Sequence, residues 1–213
     1  MTSLVRQPRL RDQVYLALRD MLRAGTFPDA GAVENDLAAQ LRVSRTPVRE
    51  ALFQLCREGF LEDTGRGYRV PELSAADMEE IIELRLMIEP DAAALAVMRA
   101  DPNAMRAIKR EADAEAKAHR AGDVDAFITA NANFRARLLE ACRNRRISQV
   151  LGVLDDQIQR LRARTLTVAE NRELTMAQHL KVVEALARRD GDGAAKAMRV
   201  LLKAARKYYA SLW

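Results

Sequence analysis

Apolar residues recur at helical spacing along most of the first 58 residues of this chain. Leu10, Val14 and Leu18 repeat with the period of a helix, and Gly25 ends that pattern. The same period predicts two more helices close behind it, over residues 34–41 and 44–58. The amino-terminal part of the chain is therefore expected to be three helices joined by short connections.

The pattern changes after residue 58. Residues 59–71 hold two short runs typical of strands on either side of a Gly65-Arg66-Gly67 turn, and Pro71 ends the second run. A hairpin placed after three helices predicts a winged helix-turn-helix domain over residues 1–73. An ordinary surface hairpin is the alternative for the wing.

From Ser74 onward the strand signal disappears and helical periodicity returns. Ser74 precedes Asp77, the pairing of a cap with a first-turn acid. Six helices are predicted, over residues 75–100, 102–120, 123–142, 146–165, 170–189 and 192–212. Short links between them indicate an antiparallel bundle over residues 74–213. The expected fold class is mainly α, a winged helix-turn-helix followed by an all-helical bundle.

The start of the third helix carries the chemistry of a DNA-reading element. Ser44 is placed to cap the helix, and Pro47 lies in its first turn, where the missing N–H is tolerated. Arg45 and Arg49 are one turn apart near the end from which recognition helices reach base edges. The residues expected to contact DNA are Arg42, Ser44, Arg45, Thr46, Arg49, Arg66 and Gly67. Solvated surface charges are the alternative for the arginines.

The charge balance adds little by itself, because 35 Lys and Arg face 30 Asp and Glu. The type of cation is more informative, since residues 1–73 contain arginine and no lysine. Arginine forks onto phosphates and guanine edges. A GC-rich genome, which favours arginine codons, explains the same bias.

Several classes of protein are excluded. No apolar run reaches 18 residues, and residues 1–6 lack the apolar core of a signal peptide, so a cytoplasmic protein is expected. Cys56 and Cys142 fall on apolar stripes and are expected to be free core thiols. No Ser-His-acid order or glycine-rich loop accompanies the two histidines, His119 and His179, so no enzyme, catalytic residue or cofactor is predicted.

The chain resembles the GntR family of bacterial transcription regulators. The matching motifs are Gly25-Thr26-Phe27-Pro28, Glu34, Leu37-Ala38, the run from Val43 to Leu52, Glu58-Gly59 and the Gly65–Gly67 wing. Arg85 to Pro90, Phe134 and Gln178-His179 resemble the FadR subgroup with its FCD-type effector domain, and six bundle helices are similar to the VanR-like members. The resemblance implies a homodimeric repressor that binds double-stranded operator DNA and answers to a small molecule. Arg42 stands where the family usually has glycine.

Many members of this subgroup hold a divalent metal through one Asp and three His. The corresponding positions here are Asn131, Arg135, His179 and Leu201. Arginine has no lone pair to give and repels a cation. The resemblance therefore implies that this chain binds no metal, with a metal-dependent sensor kept as a remote alternative.

Three polar residues interrupt apolar stripes of the predicted bundle. Asn131 and Arg135 do so in the helix over 123–142, and Arg85 does so in the helix over 75–100. A buried guanidinium is costly unless it is paired. Two partners are possible for Arg85. One is Glu89, one turn further along the helix, and the other is an anionic ligand. For Arg135 the nearest acid by spacing is Glu140, off the buried face, which favours a ligand.

These observations predict a ligand-responsive, DNA-binding transcriptional regulator that senses a small organic acid. The residues expected to contact the carboxylate are Arg85, Asn131, Arg135 and His179. His179 is alternatively a satisfied core histidine. A bundle that only dimerises and binds no effector is the rival reading. Surplus apolar residues on the last helix, Val200, Leu202 and Tyr209, are expected to be buried in the homodimer.

Overall fold

The structure, a computed structural model, describes residues 9–28 and 31–212. Residues 1–6, on which the expectation about a signal peptide rests, lie outside the described residues. Internal packing divides the chain into two compact units, of which the first ends at Glu72 and the second begins at Leu73.

The first unit is a winged helix-turn-helix, as the sequence predicts. Its elements are α1 (Leu10–Ala24), α2 (Glu34–Leu41), α3 (Arg45–Arg57), β1 (Glu62–Asp63) and β2 (Tyr68–Arg69). Leu18, Val48, Leu52 and Leu55 are fully buried, which confirms the apolar stripes of α1 and α3. The two strands pair antiparallel with Glu62 opposite Arg69.

The turn between α2 and α3 places Arg42 in a conformation that favours glycine. Arg42 follows the last residue of α2 with φ 56° and ψ 42°, in the left-handed region. Its N–H and that of Val43 close the end of the helix on the carbonyls of Ala39 and Ala38. The turn thus keeps a left-handed residue although its side chain is an arginine.

The predicted cap of α3 is wrong in its detail. Ser44 does occupy the N-cap position, but its side chain makes no capping hydrogen bond. A capping hydroxyl usually accepts from the N–H of the second or third helical residue. The third residue here is Pro47, which has no N–H. The hydroxyl of Ser44 therefore remains exposed at the start of the helix.

The wing has a specific requirement for glycine at Gly67. A Cβ atom built on Gly67 would lie 2.7 Å from the carbonyl oxygen of Ala32. Ala32 and Tyr68 exchange two backbone hydrogen bonds of 2.7 and 2.8 Å, so the chain before α2 joins the hairpin at this point. Close packing against Ala32 explains this glycine.

The second unit confirms the predicted helical bundle. Over the described residues it contains six helices: α4 (Ala75–Arg99), α5 (Pro102–Ala121), α6 (Val124–Ala141), α7 (Arg145–Thr165), α8 (Ala169–Arg188) and α9 (Gly191–Ala210). The expected cap at Ser74 is confirmed, and Ser74 and Asp77 form a capping box at the start of α4. Asp101, Asp123 and Asn144 cap the next three helices with their side chains.

Two expectations about buried residues need correction. Leu202 and Tyr209 are buried inside their own chain, so of the three surplus residues assigned to α9 only Val200 is exposed. Helices α8 and α4 pack on α9 and cover more of it than one stripe. Cys56 is only half-buried, whereas Cys142 is fully buried, and both thiols are free.

We expect replacement of Arg42 by glycine to stabilise the protein by about 1 kcal/mol, because an L-residue in the left-handed region pays a steric cost that glycine avoids. Urea unfolding of the full-length chain would measure the change. Arg42→Ala is the matched control, since alanine loses the charge but keeps the Cβ. An Arg42→Gly protein no more stable than Arg42→Ala would contradict the prediction.

Candidate functional site

The residues expected to contact DNA lie on one exposed face of the first unit. Six of the seven are exposed, and Gly67 is half-buried against Ala32. An open cleft of about 320 Å³ separates the wing from the start of α2 and α3, and Arg45, Arg66 and Gly67 all contribute to its walls. The fold thus brings the wing and the recognition helix together along one cleft.

A carboxylate that sequence reasoning gave no role lies in the middle of this face. Glu34, the first residue of α2, accepts three hydrogen bonds from Arg49, two from Nε at 2.9 and 3.0 Å and one from Nη2 at 2.8 Å. Arg45 Nη2 is 3.5 Å from the same carboxylate. Hydrogen bonds from Arg49 lower the pKa of Glu34, and they outweigh the opposing effect of burial. Glu34 is therefore a charged acceptor for both arginines.

In the second unit, the buried Arg85 and the largely buried Arg135 both pair with carboxylates of the protein. Arg85 donates to Glu89 from Nε at 2.6 Å and from Nη2 at 3.3 Å, so the internal partner proposed from spacing is present. Arg135 Nη2 donates at 2.9 Å to Glu89 Oε1, the oxygen that also accepts from Arg85 Nε. Glu89 on α4 therefore bridges two guanidiniums that belong to α4 and α6.

The expectation that Arg135 lacks a protein partner is wrong. Its Nε donates to Asp155 on α7 at 2.9 Å, in addition to its bond with Glu89. Asp155 also accepts from both terminal nitrogens of Arg162, two turns further along α7. Spacing along α6 could not reveal Asp155, which lies 20 residues away on another helix.

Both carboxylates of this cluster have pKa values below their ordinary ones. Burial works to raise the pKa of Glu89, but the charges of Arg135 and Arg85 outweigh it and keep that pKa below its ordinary value. The pKa of Asp155 is likewise well below its usual range, because Arg135 and Arg162 overcome the effect of burial. Both acids are thus anions in the folded protein at neutral pH.

His179 belongs to a second buried group. Its Nδ1 lies 2.9 Å from both oxygens of Glu115, a fully buried residue of α5 that the sequence did not mark. Asn131 Nδ2 donates to the same carboxylate at 3.1 Å. The ring of Phe134 stacks on the imidazole with 3.8 Å between centroids. His179 is held in place on one edge and one face.

The other edge of His179 borders a cavity of about 40 Å³. Among the described residues, no protein atom pairs with His179 Nε2, Asn131 Oδ1 or Arg85 Nη1, although all three are buried. The walls are formed by Arg85, Asn131, Arg135, Arg162, Thr165, Leu166, Thr175, His179, Leu201, Leu202, Ala205, Tyr208 and Tyr209. The charged wall residues are all arginines. Glu89 and Asp155 pair with these arginines, and Glu115 pairs with His179 and Asn131.

The four positions that correspond to metal ligands in related family members all lie at this cavity. Asn131, Arg135, His179 and Leu201 all line it. One imidazole nitrogen, one amide, one guanidinium and one alkyl group do not form a metal-binding set. Within the described part of the chain, no three His, Cys, Asp or Glu side chains come together as a group that could hold a metal.

A family model described as bacterial regulatory proteins, gntR family, matches residues 10–70, and one described as FCD domain matches residues 80–204. A transcriptional regulator of the Nta operon from Aminobacter aminovorans is 32% identical over 162 residues, 75% of this chain and 74% of its own. The uncharacterized HTH-type regulator YdhC of Bacillus subtilis is 29% identical over 85% of this chain and 83% of its own.

The solved structure of E. coli McbR/YncC is similar with a TM-score of 0.79 and 24% identity, and covers 97% of this chain and 99% of its own. This likeness supports the fold of both units. In the described residues, every helix is too short or too polar to cross a membrane.

We expect Glu89→Gln to destabilise the second unit by about 3–5 kcal/mol at neutral pH, because the buried Arg85 and the largely buried Arg135 lose their shared anion. The lowered pKa of Glu89 means that its contribution is complete above its ordinary value of 4.5 and declines as the pH falls below it. The difference between wild type and variant should therefore shrink at pH 3.5, as measured by urea unfolding.

The matched control is Glu79→Gln, on the same helix. Glu79 pairs with Arg206 at an exposed site, where such a pair contributes at most about 1 kcal/mol. Equal losses for the two variants, or a difference that grows at low pH, would contradict the assigned role of Glu89.

Proposed function

We propose that this chain, which belongs to the gntR family of bacterial regulatory proteins and carries an FCD domain, represses transcription until a small organic anion enters its helical unit. The observation that carries this proposal is the cavity of the second unit, whose charged wall residues are all arginines. In this proposal, the first unit binds DNA and the second unit binds the effector.

The DNA-binding role rests on the exposed end of α3 and on the wing. Arg45 and Arg49 project from the first two turns of the helix, the part of a recognition helix that contacts base edges. Arg66 lies at the tip of the wing, across the cleft from Arg45. Arg42, Ser44 and Thr46 supply further exposed donors for phosphates.

The homodimer in this proposal uses α4. Leu84 and Met87 lie one turn apart on that helix and are 38% and 73% exposed, although both are large and apolar. A second copy of the chain would cover them in a two-fold interface. Two copies would also place two recognition helices on a pseudo-palindromic operator.

The effector proposal rests on unpaired groups as well as on charge. Within the described part of the chain, neither the buried donor Arg85 Nη1 nor His179 Nε2, which borders the same cavity, has a protein partner. A carboxylate satisfies both kinds of group when the imidazole carries a proton on that nitrogen. A cavity of about 40 Å³ accommodates a carboxylate group. Arg135 and Asn131 act as walls in this arrangement.

A dimerisation scaffold without an effector is the second candidate, and one observation favours it. Arg135 and Arg162 are already paired with Asp155, and Arg85 with Glu89, so each arginine has a carboxylate inside the protein. A cluster neutralised in this way stabilises the bundle without any ligand.

For the DNA-binding role, we expect Arg49→Ala to cost about 1–3 kcal/mol of specific binding, the value of a bidentate contact with guanine. Arg45→Ala should weaken all duplexes alike, as loss of a phosphate contact does. Gel-shift titrations with a duplex enriched by the protein from a random pool, and with its scrambled counterpart, would measure both. Arg57→Ala, at the far end of α3, is the control, and unchanged binding by both test variants would reject the assignment.

For the effector, we expect small organic acids to raise the melting temperature and release the enriched duplex. Acetate, succinate, citrate and benzoate are suitable probes, with their uncharged amides for comparison. An acid present at about 100 times its Kd adds about 2.7 kcal/mol of stability. Ala205→Leu fills the cavity and should abolish the response, whereas Ala204→Leu, one residue away and not part of the wall, should retain it.

Two outcomes would decide against the effector. If no acid changes the melting temperature of the wild type, the scaffold candidate is preferred. If the acids act equally on Ala205→Leu and Ala204→Leu, they bind elsewhere, and the cavity is not their site.

A further inference from the structure

Glu34 contacts three side chains of the DNA-binding face from a protected position. Its side chain is only 16% exposed, whereas those of Arg45 and Arg49 are 60% and 62% exposed. It lies at the start of α2, and its partners come from α3 and, through the Tyr68 hydroxyl at 3.5 Å, from β2. One carboxylate therefore lies behind the exposed arginines of the recognition helix.

The hydrogen bonds of Arg49 divide its guanidinium into an occupied edge and an open one. Nε and Nη2 both donate to Glu34, at 2.8 to 3.0 Å, so that edge is fully used. Among the described residues, Nη1 has no protein partner. The remaining edge, formed by Nη1 and Nη2, still has two parallel donors, the pattern that matches O6 and N7 of guanine.

Ordering the guanidinium of Arg49 in advance lowers the conformational entropy that is lost when DNA binds. A free arginine side chain has many rotamers, and ordering it at an interface consumes part of the interaction. The two-pronged contact with Glu34 orders Arg49 before DNA arrives. A guanidinium ordered in this way favours a base whose two acceptors match its open edge over one that presents a single acceptor.

We propose that Glu34 is a positioning residue for sequence reading: it holds Arg49 by the Nε–Nη2 edge and so presents the Nη1–Nη2 edge to a guanine. The proposal rests on the proposed function, in which Arg49 contacts a base. Glu34 itself touches no DNA in this arrangement, and its effect on specificity passes through Arg49.

A purely electrostatic role for Glu34 predicts the opposite result. A carboxylate on a DNA-binding face repels the phosphate backbone, so its removal would strengthen binding to every sequence. Positioning predicts that removal weakens binding to the specific site alone. The direction of the change therefore separates the two roles.

The experiment measures fluorescence-anisotropy affinities of the full-length protein for the enriched duplex and for its scrambled counterpart. We expect Glu34→Gln to lower the ratio of the two affinities about tenfold, the loss of one good base contact, without weakening the scrambled duplex. Asp36→Asn is the matched control. It removes the same charge from the same first turn of α2, and the structure gives it no arginine partner among the described residues, so the ratio should not change.

Glu34→Asp provides a second, charge-preserving variant. It keeps the carboxylate and the favourable charge at the start of α2, but it is one methylene too short for the same two-pronged contact. Positioning predicts a lower affinity ratio for this variant too, and a melting temperature close to that of the wild type. If Glu34→Gln fails to fold, Glu34→Asp alone decides, because an electrostatic role predicts wild-type behaviour for it.

The double variant Glu34→Gln with Arg49→Ala tests whether Glu34 acts through Arg49. Once Arg49 is absent, loss of Glu34 should not reduce the ratio further. A further reduction, or equal strengthening of both duplexes by Glu34→Gln, would overturn the proposal. If Arg49→Ala alone leaves the ratio unchanged, then it is the base contact of the proposed function that fails.

Discussion

The second unit depends on a buried carboxylate shared by two guanidiniums. Glu89 accepts hydrogen bonds from Arg85 of its own helix and from Arg135 of α6. Arg135 also donates to Asp155 of α7, so the cluster joins three helices. Removing charges from water is expensive, and only close geometry with further hydrogen bonds recovers that cost. Because Glu89 and Asp155 supply that geometry, the bundle tolerates three arginines around an interior cavity.

The same arrangement recurs in the first unit with a different energetic weight. Glu34 lies behind Arg45 and Arg49 as Glu89 and Asp155 lie behind the cavity arginines. The arginines of the first unit are more than half exposed, so their ion pairs are weak contributors to stability. The role that we propose for them is orientation. In the bundle, where these side chains are mostly buried, the pairing affects both orientation and stability.

The sequence predicted the parts of the structure that follow from short-range chemistry. Helical periodicity and the cap at Ser74 lie within one helix or one turn, and both are confirmed. Glu89, one of the two partners that spacing left open for Arg85, is also present. The partners of Arg135 and His179 were not predictable in this way. Asp155 and Glu115 lie on other helices, 20 and 64 residues away, and no spacing rule connects them. Helix packing alone brings them together.

Any anion that enters the cavity meets arginines that already have partners. Its carboxylate gains little from Arg135, since that guanidinium would only exchange one anion for another of the same charge. The net gain comes from Arg85 Nη1 and, where it carries a proton, from His179 Nε2; both atoms are buried and have no protein partner among the described residues. A buried unsatisfied donor costs about 1–3 kcal/mol, and pairing it recovers that amount. Affinity in such a cavity is therefore set by two hydrogen-bonding groups, because Glu89 and Asp155 already neutralise most of the arginine charge.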